Sequence, residues 1–505
     1  MIGNLDKETA NYIVSYRFSS KYKRNVLMVR SKEAGHHFAE HTRFNLLSDD
    51  DAIIGSRDIT EDIAKFIINN FDKRGDTESF DIYESDLQAG RLLTRTKRDI
   101  HPGDILHTLT RSEQSFTATG SKLESHWPIF QKYQETGYGS IIRATMTLHQ
   151  VCSSRCHYCS TIARNRKDSI SLEEAKAFVT QLYDDQAKFN QEKFPKYNEL
   201  YRSVAGSDIR LRGLILSGGG QPNLWPHFTE FVRWASERDI DLGLITNGFP
   251  KNIPEDVYEH FKWVRISITP EDASPHYVDG HFNKQYLPQT VKNNKDVTVG
   301  YSYVVGPWSD DDILRRIDAS MKENGFDYCR VLTDCNLTRT AQLRSHDSLS
   351  ERLRRLGYID ESGNPVNKFF HQLKYHGTPD EAESLWESGQ CYLQVYNVFW
   401  DTTGHELNGK SSCYACDSIT VLAEESTDLT VIASQRKFNH EKWGTVFNDR
   451  VERLFTEPVK KYFDPRSICS ACLFMRNNEV VKELSSRKTY DNLKPASDVE
   501  HVNFP

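Results

Sequence analysis

Three cysteines stand close together in the stretch Cys152-Ser-Ser-Arg-Cys156-His-Tyr-Cys159. Three residues separate the first two and two separate the last two. Thiolates packed this closely can hold three corners of one cubane iron–sulfur cluster. Such clusters normally take four cysteines. The next cysteine along the chain is Cys329, so the loop by itself leaves one iron open. An open iron can bind a substrate or a cofactor. The plainer readings are a zinc knuckle or ordinary core thiols.

The other cysteines all come later: Cys329, Cys335, Cys391, Cys413, Cys416, Cys469 and Cys472. None precedes Cys152, a gap that scattered structural cysteines would not leave. Cys413-Tyr-Ala-Cys416 and Cys469-Ser-Ala-Cys472 share a two-residue spacing. That spacing points to a metal site, and four such thiols suit zinc as well as an iron–sulfur cluster.

The elements that must carry these cysteines show in the hydrophobic pattern. An apolar run (Ile141, Ile142, Ala144, Met146, Leu148) leads into the first loop. From residue 138 the pattern predicts strands over 140–148, 212–217, 241–246, 263–269, 297–305 and 326–332. Helices are predicted over 171–184, 226–238, 254–261, 283–292 and 309–323. Ser171-Leu-Glu-Glu174 is a capping-box pattern at the start of the first helix. Strands alternating with helices predict a parallel sheet of right-handed crossovers, whose ligands bind at the carboxyl ends of the strands. The cysteine loop leaves the carboxyl end of the first strand. Residues 185–210, polar and rich in Lys and Tyr, read as a surface excursion or lid.

Three domains are expected: 1–137, 138–340 and 341–505. In the first, Val26–Arg30 reads as a strand and Ile59–Phe71 as an amphipathic helix with Thr60 as its cap. That mixture suggests a small α/β, α+β or winged-helix-like unit. Trp127, Phe130 and Tyr133 follow in a charged linker as packing anchors. The last domain holds five cysteines among short strand-like pieces, and the tail beyond Glu483 reads as loosely docked.

The chain has 505 residues and a formal charge of −7, mild for this length. Nothing in it suggests nucleic acid. No run of eighteen apolar residues marks a membrane span. The start of the chain lacks the basic-then-apolar pattern of a signal peptide. A cytoplasmic location is therefore expected, where clustered cysteines serve metals or catalysis.

Cys152-x3-Cys156-x2-Cys159, with Tyr158 before the last cysteine, resembles the signature of the radical S-adenosylmethionine (SAM) enzymes. Leu214-Ile-Leu-Ser-Gly-Gly-Gly-Gln-Pro222 resembles that family's glycine-rich motif beside the methionine amino group. Ile245-Thr-Asn-Gly248 and Arg265-Ile-Ser-Ile-Thr269 are similar to its later SAM-contacting strands. The resemblance covers roughly residues 138–335. It implies an α/β fold with a partial (β/α)6 barrel, between an N-terminal α+β domain and a C-terminal Cys-rich metal-binding domain. It also implies that Cys152, Cys156 and Cys159 bind a [4Fe-4S] cluster whose open iron is chelated by SAM. Tyr158, Gly218, Gly219, Gly220, Gln221, Pro222, Asn247 and Ser267 would surround the SAM. One departure stands out. The family commonly has Glu where this chain has Gln221, so any bond to the methionine ammonium would run through an uncharged amide oxygen.

By the same resemblance, one electron from a flavodoxin- or ferredoxin-type reductant cleaves SAM. The resulting 5′-deoxyadenosyl radical then takes hydrogen from an unreactive carbon. Cys329 and Cys335, at the end of the sixth strand, are candidates to donate or relay a hydrogen atom, though for Cys329 a buried strand cysteine is the favoured reading. Arg330, Asp334 and Tyr303 are candidates to face the substrate. His149 and His157 flank the loop as supporting residues. Cys391, Gly409-x3-Cys413, Cys416 and Cys469-x2-Cys472 resemble a SPASM or twitch extension. They would hold a second [4Fe-4S] cluster or, alternatively, zinc, with Cys391 or Cys416 to spare. The substrate would be a peptide, or else a small molecule such as a sugar or aminocyclitol. A non-enzymatic iron–sulfur or zinc scaffold for a protein partner is the reading from another class.

Overall fold

The structure is a computed structural model. It describes residues 5–8, 12–19, 24–31, 38–41, 43–47, 53–59, 64, 67, 68, 81–83, 120–154, 156, 158, 159, 161, 166–248, 253–268, 291, 294–306, 309–334, 339–360, 365, 366, 368–372, 390–402, 412–415, 451–459, 474–490, 493 and 500–505. The chain divides into two compact units, Met1–Thr108 and Leu109–Pro505.

The first unit is mainly antiparallel. Strands β1 (Leu5–Glu8), β2 (Tyr12–Ser19), β3 (Arg24–Ser31) and β4 (Phe38–His41) form one sheet in that order. Val26 and Leu27 are buried. A second sheet places β5 (Arg43–Leu47) between β6 (Ile53–Asp58) and β7 (Asp81–Tyr83). Ala64, Ile67 and Ile68 are helical and buried; of the apolar positions that marked this helix in the sequence, Ile63 and Phe71 lie outside the described residues. Thr60 lies outside the described residues.

In the larger unit, the described residues include one nine-stranded sheet. Its chain-order members are β8 (Arg143–Thr147), β9 (Gly213–Ser217), β10 (Asp241–Thr246), β11 (Phe261–Ile268), β12 (Thr298–Val305), β13 (Tyr328–Thr333), β14 (Phe369–Gln372), β15 (Asn397–Asp401) and β16 (Ser412–Tyr414). Strands β8 to β14 lie side by side in parallel, in chain order. β15 adds in parallel on the free side of β8, and β16 pairs antiparallel with β15. The sheet is therefore larger than the six strands expected.

The compact units are drawn differently from the three expected domains, dividing between residues 108 and 109. Around the helix Trp127–Thr136, Trp127 stacks on Tyr490 and Phe130 meets the edge of Tyr396. Strands β14, β15 and β16, from within residues 341–505, belong to the same sheet as β8 to β13.

Strand parity divides the sheet into two faces. Ala144, Met146, Leu214, Leu216, Leu242, Leu244, Val264 and Ile266 point one way, into the apolar core under the helices. The helix Leu172–Thr180 starts at Ser171, whose side chain accepts from the Glu174 backbone N–H at 3.1 Å, as the capping box predicts. Residues 185–210 are not a loose excursion. They form helices Gln186–Lys193 and Pro195–Ala205, with Tyr197, Asn198 and Tyr201 buried.

The other face carries the alternate residues, and its amino-terminal end is filled by the last residues of the chain. Phe504 packs against Ile215 and the edge of Trp263. Asn503 donates to Asp241 at 2.7 Å, and His126 Nε2 lies 3.0 Å from the Val502 carbonyl. The last residues of the tail, read from the sequence as extended or loosely docked, are therefore docked on the sheet. Their contacts are long-range and leave no local signature.

Candidate SAM and iron–sulfur site

The carboxyl ends of β8, β9 and β10 meet around the cysteine loop. Cys152, Cys156 and Cys159 are each half-buried thiols with no disulfide. The turn is held locally. Cys159 N–H donates to the Cys156 carbonyl at 3.0 Å, and Ser154 N–H points at Cys152 Sγ at 3.4 Å. The stem of the loop is tied down as well, with Gln150 N–H donating to the Asp168 carbonyl at 2.9 Å.

The glycine run after β9 packs directly on this stem. Gly218 has φ of +138°, a conformation closed to most side chains, and a Cβ there would run into Thr147. A Cβ on Gly219 would overlap the Gln150 amide. The backbone is then stitched across. Gln221 N–H donates to the Val151 carbonyl at 2.7 Å, and Thr161 Oγ1 donates to the Gly219 carbonyl at 3.0 Å. His149 Nε2 lies 2.6 Å from the Gln221 carbonyl. A carbonyl can only accept, so Nε2 carries the proton. Burial holds the His149 pKa below its ordinary value, which keeps the ring neutral.

Gln221 behaves differently from the expectation. Its side chain is buried, and both ends are used inside the protein. Oε1 accepts from the Asn247 backbone N–H at 2.8 Å, while Nε2 donates to Thr246 Oγ1 and Asn223 Oδ1. The amide therefore braces the β9 and β10 loops against each other. Asn247 does face the cysteine loop. Its Nδ2 donates to Ser153 Oγ at 2.9 Å and to Ser154 Oγ at 2.8 Å. Pro222 opens a buried turn, Pro222–Leu224. Tyr158 is half-buried within the loop. Ser267 is half-buried on the inner face of β11, in register with Ser302 on β12.

The sixth-strand candidates separate by parity. Cys329 is fully buried in the helix-side core, in register with Tyr301. Burial pushes its thiol pKa far up, so it stays a neutral thiol. It does not line the strand ends as a hydrogen donor should. Tyr303 also points into that core, where its hydroxyl meets Ser309 at 2.8 Å. Arg330 has the opposite parity and donates to Ser302 Oγ at 3.3 Å. Asp334 is buried just beyond the strand. Cys335, His157, Cys416, Cys469 and Cys472 lie outside the described residues.

Two of the late cysteines are described. Cys391 is half-buried and precedes the turn Tyr392–Val395, which is anchored by Asn478 Oδ1 accepting from Tyr392 N–H at 2.7 Å. Cys413 sits on β16 opposite Trp400, with its thiol in the apolar core and its pKa pushed by burial to about 12. No group of three metal-ligand side chains is assembled among the described residues.

Cys152, Cys156 and Cys159 offer the thiol donors that an iron–sulfur cluster takes, on one short half-buried turn, but in this structure the three are not drawn together as a metal-binding group. Sequence reading passed over Gln150, Ser153, Ser154 and Thr161. Only their position next to the cysteines signalled them. No helix among the described residues is long and apolar enough to cross a membrane.

No family model matches the chain, and no curated protein matches it. Solved structures similar to it include Streptococcus suis SuiB bound to precursor peptide SuiA, at 13% identity and a TM-score of 0.39, covering 68% of this chain and 72% of that one. SuiB bound to S-adenosylmethionine is 11% identical with a TM-score of 0.39, covering 68% of this chain and 74% of that one. BtrN in complex with AdoMet and 2-DOIA is 12% identical with a TM-score of 0.28, covering 70% of this chain and 98% of that one.

Proposed function

We propose that this chain is a radical SAM enzyme that modifies a peptide or protein substrate. The observation that carries the reading is the junction of the Cys152–Cys159 loop with the glycine run. The β9 and β10 loops bond to Val151, Ser153 and Ser154, next to the half-buried thiols in the chain. Cys152, Cys156 and Cys159 would hold a [4Fe-4S] cluster as thiolates, leaving one iron for SAM. When bound, the pair supplies one-electron cleavage of the SAM carbon–sulfur bond and hydrogen abstraction from a substrate carbon.

The chain's own residues supply position. Gly218 and Gly219 bring backbone against the loop stem, where any larger residue would collide with Thr147 or Gln150. Asn247 pins Ser153 and Ser154 and so fixes the first turn of the loop. The neutral His149 holds the Gln221 carbonyl. The electron would come from a flavodoxin- or ferredoxin-type protein.

Support for a peptide substrate comes from the first unit. Among the described residues, its four-stranded antiparallel sheet ends at β1 and β4, and sheet edges accept an extended peptide by strand addition. The late cysteines would bind a second cluster, or zinc.

Incubating the anaerobically reconstituted protein with SAM and dithionite tests the reading. The expected product is 5′-deoxyadenosine from the wild type and none from the triple variant C152A/C156A/C159A. Equal background from both would overturn it and leave a metal-binding scaffold.

A further inference from the structure

The carboxyl end of β15 delivers two side chains to the root of the cysteine loop. Asp401 and Thr402 are fully buried. β15 pairs with β8 through Trp400 and Met146, so the next residues, Asp401 and Thr147, fall together on the inner face. Thr147 Oγ1 donates to Asp401 Oδ1 at 2.9 Å, and Thr402 N–H donates back to Thr147 Oγ1 at 2.8 Å. Gln150 Nε2 donates to Thr402 Oγ1 at 3.0 Å and reaches Asp401 Oδ1 at 3.4 Å.

The same Gln150 amide fills the space that a Cβ on Gly219 would need. The Gly219 carbonyl accepts from Thr161 Oγ1, which lies 3.2 Å from Cys159 Sγ. Contacts therefore run unbroken from Asp401, through Gln150 and Gly219, to a cluster-loop cysteine. A buried carboxylate is costly unless hydrogen-bonded, and a strand position between β8 and β16 that only needed filling would be served by an apolar residue. Side-chain hydrogen bonds between buried groups restrict the geometry of what they join.

We propose that Asp401 is a positioning residue of the cysteine-loop site. Through Thr147, Gln150 and Thr402 it holds the glycine run against the loop, so that cluster and SAM meet in one arrangement. The proposal rests on the radical SAM reading above. It adds the strand β15, which no part of the cysteine or glycine motifs contains.

The test uses the reconstituted full chain and three variants: Asp401→Asn, Thr147→Val and Thr147→Ser. Iron and sulfide per chain, thermal melting, the SAM dissociation constant and the EPR spectrum of the reduced cluster with and without SAM are measured. Asp401→Asn and Thr147→Val are expected to keep the wild-type iron content. They should bind SAM roughly 10-fold or more weakly and lose part of the EPR change that SAM induces. Thr147→Ser keeps the hydroxyl and should restore both. Wild-type SAM affinity and EPR response in Asp401→Asn would overturn the proposal. So would a Thr147→Ser variant as impaired as Thr147→Val. If Asp401→Asn fails to fold, the two Thr147 variants decide the matter alone. A wild-type protein that holds iron and binds SAM, beside unaffected variants, refutes only the role of Asp401. A wild-type protein that does neither refutes the site reading, and this proposal with it.

Discussion

The cysteines of this chain meet two opposite surroundings. Cys152, Cys156 and Cys159 sit half-buried on a loop beyond the end of β8. Cys329 and Cys413 lie on strands, their side chains turned into the apolar helix-side core. Burial favours the neutral thiol in both of the latter, taking Cys413 to about 12 and Cys329 further still. The difference teaches that spacing nominates a metal ligand, but exposure decides whether its thiolate is available. A ligand role for Cys413 would require the metal itself to stabilise the thiolate. Cys329 stands in the same core, among Tyr301, Val331 and other apolar side chains.

The strongest way to break this contrast is to remove each set. C152A/C156A/C159A should lose all iron attributable to the first cluster, read by iron and sulfide analysis, and all 5′-deoxyadenosine formation. Cys329→Ala should keep both. Loss of activity in Cys329→Ala at full iron content would restore that thiol to the chemistry.

A smaller effect is expected where the loop meets the glycine run. Gly219→Ala forces a methyl group into the Gln150 amide. It should cost about 1–3 kcal/mol by overpacking and weaken SAM binding as the loop shifts. Denaturant unfolding and equilibrium dialysis read the two effects. An unchanged SAM affinity would mean that the glycine run is only a turn.

In the core, Cys329→Ser places a hydroxyl among apolar side chains. The expected loss is about 1–3 kcal/mol, with first-cluster iron unchanged. In native protein the Cys329 and Cys413 thiols should resist alkylation while the loop thiols react, once metal has been removed by chelation. Mass spectrometry of the alkylated peptides makes the comparison directly.

The smallest effect tests the same burial rule with the opposite charge type. Burial lowers the imidazole pKa of His126 and His371 to about 4 and of His501 to about 3, against an ordinary 6.5. Below about pH 6.5 the unfolded chain binds protons that the folded chain refuses. Stability should therefore be fully present above pH 6.5 and fall as the pH drops toward 4. Replacing His126 by Gln should flatten the pH dependence of denaturant midpoints between these values. An unchanged slope would mean that its ring is not held neutral by the fold.

Much of the larger unit was legible because its signals are local. Alternation placed β8 to β13 within a few residues, since each buried strand is a short apolar run between polar breaks. The capping box marked Ser171. The cysteine spacing marked the loop. Parity was not legible in those runs, because a strand buried on both faces shows no alternation. The sequence therefore left open which way Cys329, Tyr303 and Arg330 point; the strands turn Cys329 and Tyr303 into the core and Arg330 to the other face.

The sequence by itself determined which residues could bind a cluster, and that a parallel sheet would carry them. Tertiary structure alone decided what presses on the loop. Gln221 became a strut because Asn247 came within reach of its oxygen. Asp401 reached Thr147 across 254 residues because β15 added beside β8 rather than at the far edge. Phe504 found Trp263 by the same kind of long-range pairing. Hydrogen bonds and ring contacts between distant segments leave no period in the chain. They exist only once the strands have chosen their neighbours.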